Sequence, residues 1–141
     1  DGLAETIRKL EELERDATGA AFMKTAHHVM EQLGSLAIDI DRIMETDIPE
    51  RVWKQYHAGD TSAFARRLLK SGGRTTERRI AEKFETDSDF RKTVMSYMSQ
   101  FERVIDQAGR VDKADALNAA LLSSHIGKLY VMLARAVKRI H

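Results

Sequence analysis

One proline, Pro49, stands in 141 residues, and that scarcity constrains the fold more than any motif does. Proline removes a helical hydrogen bond and clashes with the preceding turn, so a chain with one proline leaves long helices uninterrupted. Apolar residues meanwhile recur at spacings of three and four, with no segment alternating in the manner of a strand. Charged residues at 32% and hydrophobic residues at 43% supply the two faces that such helices need. The pattern predicts an all-α fold: an antiparallel bundle of about three long helices plus short connecting ones, led by a coiled-coil-like N-terminal helix. A chain of this length buries a core without staples. The lack of cysteine excludes a disulfide framework, a thiol nucleophile and a zinc-thiolate centre.

In LAETIRKLEELERD, Leu3, Ile7, Leu10 and Leu13 form a narrow stripe among charges, the seam of a helix that packs on one partner. Residues 1–17 read as the end of a coiled-coil-like helix and 18–141 as one helical-bundle domain, expected to be excised from a longer polypeptide. An exposed seam of this kind predicts a homo-oligomer formed through the N-terminal helix. After the small-residue break ATGAA, the spacing predicts a long helix from Phe22 to Met44. Asp47 is the expected cap and Pro49 the first-turn residue of a short helix around Val52, Trp53 and Tyr56. Gly59 in the left-handed conformation should end that helix, and Asp60 or Thr61 should cap the next. Ile80 and Phe84 mark another short helix. Ser88 is the expected cap of a long one carrying Phe90, Val94, Tyr97, Phe101 and Val104. Leu117, Leu121, Leu122, Ile126, Leu129 and Leu133 then keep helical spacing almost to the end. The aromatic residues Trp53, Tyr56, Phe64, Phe84, Phe90, Tyr97, Phe101 and Tyr130 are assigned to the core.

The formal net charge is only +1, yet residues 66–83 hold seven basic residues against two acidic ones. Arg66, Arg67, Lys70, Arg74, Arg78 and Arg79 surround a Gly-Gly break and form the candidate partner-binding turn, suited to an acidic protein partner. The stretch has neither the strand nor the Gly-x-x-x-x-Gly-Lys-Ser/Thr spacing of a phosphate loop. Nucleic-acid binding through it is a rival reading, because clustered arginines neutralise phosphates without a motif. That rival is disfavoured by the lack of interleaved aromatic residues and by Glu77, Glu82 and Glu85, spaced to pair with Arg78, Arg79 and Lys83. A second rival is a metal- or small-molecule-binding helical protein using His27, His28 and Glu31. No HExxH motif accompanies them, and no Glu-x-x-His pair recurs on another helix as a di-iron bundle requires. Asp39, Asp41, Asp47 and Glu50 lack the spacing and central glycine of a calcium loop, and Asp39 and Asp41 belong to different faces of a helix. Ser123, Ser124 and His125 are sequence neighbours on a helix and do not assemble a nucleophile. No catalytic residue, metal site or cofactor is therefore assigned. No run of about 18 apolar residues crosses a membrane.

Three stretches belong together: FMKTAHHVMEQLGSLAIDIDRIMETDIPERVWKQYHAGDTSAFARRLL, IAEKFETDSDFRKTVMSYMSQFERVI and ALLSSHIGKLYVMLARAV. They include the patterns D-x-x-F-R-x-x-V-x-x-Y-x-x-x-F-E and S-S-x-x-G-K-L-Y. From about residue 20 onward the chain resembles the C-terminal helical region of very large alphaproteobacterial coiled-coil proteins. These are the apolipoprotein-like or kinesin-like kind, some related to growth-pole ring or polarity scaffolds. The resemblance implies a non-catalytic cytoplasmic scaffold at the cell pole, with an upstream rod tethered to the inner membrane and this domain serving assembly or docking. Within it Asp87, Asp89, Arg91 and Glu102 would be cap or surface-pair residues, and Gly127 would permit close helix approach.

Overall fold

The computed structural model describes residues 2–44, 47–70, 73–110 and 114–138, leaving the side chains of 10–19 and 114 outside the description. Every described element is helical. In chain order these are α1 (Gly2–Met44), α2 (Glu50–His57), α3 (Ala63–Lys70), α4 (Arg74–Thr86), α5 (Ser88–Ala108), α6 (Ala114–Ser123) and α7 (His125–Lys138). Helix α1 packs on α3, α5 and α7; α7 also packs on α3, α4, α5 and α6. None of the described helices is long and apolar enough to cross a membrane.

The core follows from the apolar spacing. Leu33, Ile40, Phe64, Ile80, Phe90, Val94, Tyr97, Phe101, Leu129 and Leu133 are all fully buried. Each such side chain contributes about 1.5–3 kcal/mol when removed from water. A second cluster joins Phe22 and Ala26 to Val104 and Ala108, so the middle of α1 meets the last turns of α5. Five of the eight aromatic residues assigned to the core are buried, while Trp53, Tyr56 and Tyr130 pack against it half-buried. The edges of Trp53 and Tyr56 meet the Phe64 ring at centroid distances of 4.8 and 5.7 Å, which docks α2 on α3.

Several local expectations are corrected. Helix α1 runs through ATGAA without a break, because alanine is the best helix former and one interior glycine costs only about 1 kcal/mol. The helix therefore crosses the boundary drawn at residue 17. Asp87, not Ser88, caps α5: its Oδ1 accepts from the Phe90 N–H at 3.0 Å. Pro49 occupies the cap position of α2 in an extended conformation, with no side-chain cap bond. Gly59 does take positive φ, at 111°. The final segment divides at Ser124, whose hydroxyl donates to the Leu121 carbonyl (2.6 Å) and accepts from the Gly127 N–H (3.0 Å). That bond caps α7 and separates it from α6. A Cβ on Gly127 would overlap the Leu121 carbonyl oxygen, so glycine is what lets the two helices close up. Across the interior, the Tyr97 hydroxyl donates to the Ile126 carbonyl at 2.7 Å and fastens α5 to the same junction. Burial pushes that phenol well above its ordinary pKa.

Candidate functional site

The basic turn places Arg66, Arg67 and Lys70 on α3 and Arg74, Arg78 and Arg79 on α4. Residues 71 and 72 between them lie outside the described residues. The six side chains do not act alike. Arg67 donates to the Asp41 carboxylate at 2.9 Å, and Asp41 is only 1% exposed. Arg67 also reaches the Asp47 carbonyl at 3.4 Å. Arg79 donates to the Met44 carbonyl at 2.8 Å. Both arginines therefore hold the C-terminal end of α1, where helix carbonyls lack partners of their own and the helix dipole favours cations. Arg66 pairs with Asp60, and its hydrogen bond holds the Asp60 carboxyl below the usual range, outweighing the upward push of burial. The Ser62 N–H also donates to Asp60, at 3.2 Å. Lys70, Arg74 and Arg78 are exposed and make no ion pair among the described residues.

The acidic partners expected within α4 are arranged differently. Glu77 is buried and lies 3.9 Å from Arg135 of α7, so it supports helix packing rather than screening Arg78. Glu82 and Glu85 make no ion pair among the described residues. Asp41 and Asp39 do separate by face: the first is buried under α3 and the second is exposed.

Beside the turn lies a notch of about 170 Å³ between α2 and α3. Its lining includes Arg51, Gln55, Arg66, Arg67 and Lys70, together with the buried Val52 and Ala63. Sequence reasoning missed Arg51, which lies 15 residues before Arg66 and shares no run with it. The signal that could have found it is the turn of 58–62 that folds α2 back on α3, with Asp60 tied to Arg66 as the turn closes. A larger groove of about 470 Å³ runs between α1 and α5, lined by Thr25, Gln32, Ser96, Gln100 and Arg103 among others. It holds no carboxylate and no histidine, so it presents hydrogen-bonding groups without an acid or base.

Other candidates resolve into local pairs. His27 and Glu31 approach to 3.0 Å and His28 and Gln32 to 3.4 Å on exposed turns of α1. Among the described residues no three histidine or carboxylate side chains gather to hold a metal. Ser123 donates to the Ala120 carbonyl at 3.1 Å and Ser124 caps α7, so neither hydroxyl meets His125 as a base. Residues 2–9 of α1 are exposed throughout, with Leu3 at 69% and Ile7 at 49%. The Leu10 and Leu13 side chains lie outside the described residues. No family model, no curated protein and no solved structure matches the chain.

Proposed function

We propose that the chain is a non-catalytic assembly module whose helical body docks a protein partner and whose N-terminal helix joins a second copy. The observation that carries this reading is the exposure of Leu3 and Ile7 on a stretch of α1 that precedes Phe22, the first residue along it to be buried among those whose side chains are described. At ~1.5 Å per residue the turns before Phe22 extend for about 30 Å. The occupant of the seam is the same stretch of another copy. Its stripe is one residue wide, and Glu5, Arg8, Lys9, Glu11 and Arg15 beside it give charges of both signs for pairing across two helices. Arg74 and Arg78, exposed and without ion-pair partners among the described residues, are the positions offered to an acidic protein partner. With the resemblance to polarity scaffolds, the proposal extends to an assembly that works in the cytoplasm near a growing pole.

Light scattering tests the self-association. The whole chain should give a mass above the monomer that falls on dilution, and the double variant Leu3→Ser, Ile7→Ser should give the monomer mass at all concentrations. A monomer mass for the unaltered chain at high concentration refutes the proposal.

A further inference from the structure

The notch between α2 and α3 gathers four cations: Arg51 on α2, and Arg66, Arg67 and Lys70 on α3. Guanidinium groups do not shed their proton at any ordinary pH, so crowding them is relieved by anions rather than by titration. Two of the four meet carboxylates, Arg66 at Asp60 and Arg67 at Asp41. These carboxylates fix the two guanidinium planes. Arg51 and Lys70 make no ion pair among the described residues, which leaves two positive charges in excess at one small opening. Gln55 adds an amide donor beside them.

We infer that this notch binds a tetrahedral dianion of the phosphate class. Charge sets the valence: two uncompensated cations are neutralised by one dianion. Geometry sets the size, because about 170 Å³ lies well below the ~300–1,000 Å³ of sites that enclose drug-sized ligands. A phosphoryl group fits that space and a nucleotide does not. Donor number favours phosphate over a single carboxylate, since guanidinium, ammonium and amide groups approach from two helices and supply more hydrogen bonds than two oxygens accept. The inference stands apart from the assembly reading, which concerns the outer turns of α1 and Arg74 and Arg78 on α4, none of which line the notch, and either can fail alone.

The test is a titration of the whole chain with inorganic phosphate at fixed ionic strength, chloride being exchanged for phosphate, followed by amide chemical shifts and by melting temperature. Saturable shifts at Arg51, Gln55 and Lys70, with a rise in melting temperature, are expected. Arg51→Gln and Lys70→Gln, both exposed side chains, should each weaken binding about tenfold, the effect of losing one charge-assisted hydrogen bond. Lys92→Gln, an exposed position outside the notch, should leave it unchanged. O-phosphoserine in a parallel titration separates the sources: binding as tight as phosphate assigns the notch to a phosphorylated side chain, and binding of phosphate alone assigns it to the free ion. Phosphate shifts no larger than those of chloride, or an equal loss in Lys92→Gln, overturn the inference.

Discussion

Replacing Arg67 by methionine tests how far the basic turn is structural. Methionine keeps much of the aliphatic stem and removes the guanidinium that lies 2.9 Å from Asp41. Asp41 is 1% exposed, so its carboxylate loses the Arg67 guanidinium in a place water does not reach. Breaking a buried pair from one side costs about 3–5 kcal/mol. Proton uptake limits that loss, because protonating an ordinary carboxyl at pH 7 costs about 4 kcal/mol, and at pH 5 only about 1.5 kcal/mol. The variant should thus be about 3–4 kcal/mol less stable than the parent at pH 7. At about 3–4 °C per kcal/mol for a domain of this size, the melting temperature falls by about 10–15 °C. At pH 5 the gap should narrow by more than half, since low pH favours the protonated form that only the variant needs. Urea unfolding at the two pH values measures both differences. Asp41 keeps its other contacts in the single variant, so Asp41→Asn added to Arg67→Met isolates the ionic part and should recover about half of the loss or more. A loss below about 1 kcal/mol at pH 7, or one that does not change with pH, refutes the reasoning.

Two further outcomes follow from the α5–α7 side of the molecule. Gly127→Ala should cost about 1–3 kcal/mol by urea unfolding, because the new methyl meets the Leu121 backbone and not a movable side chain; a gain of about 1 kcal/mol from helix propensity alone would contradict it. Tyr130 is raised to about 12 by burial and by the Glu102 carboxylate that accepts its hydroxyl at 2.9 Å. Its contribution is complete below the unfolded phenol value near ~10 and is lost as pH rises through about 12. Urea midpoints should therefore fall across that window, less steeply in Tyr130→Phe, with phenolate absorbance rising in step; level midpoints would refute this.

The parts of the fold legible in the sequence are those governed by neighbours three and four residues apart. Val94, Tyr97 and Phe101 define α5, and Leu33 with Ile40 defines the buried half of α1, because one helix face settles their fate. Breaks were harder to place. Glycine at position 19 reads as a stop yet sits inside α1, where the surrounding alanines outweigh it. Ser124 reads as one more helical residue yet stands between α6 and α7, because its hydroxyl caps α7 and the Tyr97 bond and the close approach at Gly127 hold the junction. Asp87 and Ser88 are both good caps, and Asp87 takes the role as the extended residue between the end of α4 at Thr86 and the start of α5. At the candidate site the residue types were visible and their duties were not. Arg67 and Asp41 are 26 residues apart, and Arg79 and Met44 are 35 apart; no spacing rule connects such positions. Arg51 joins the notch only after α2 has folded back on α3.

Helix α1 carries its outer turns and its buried turns on one unbroken spiral. The compass direction in which Leu3 and Ile7 face outward is consequently locked to the one in which Leu33 and Ile40 face inward. At ~100° per residue, a single inserted residue between them would swing the outer stripe to another bearing, while seven would return it to within about 20°. A rod gripping that stripe would aim the rest of the molecule as well as hold it.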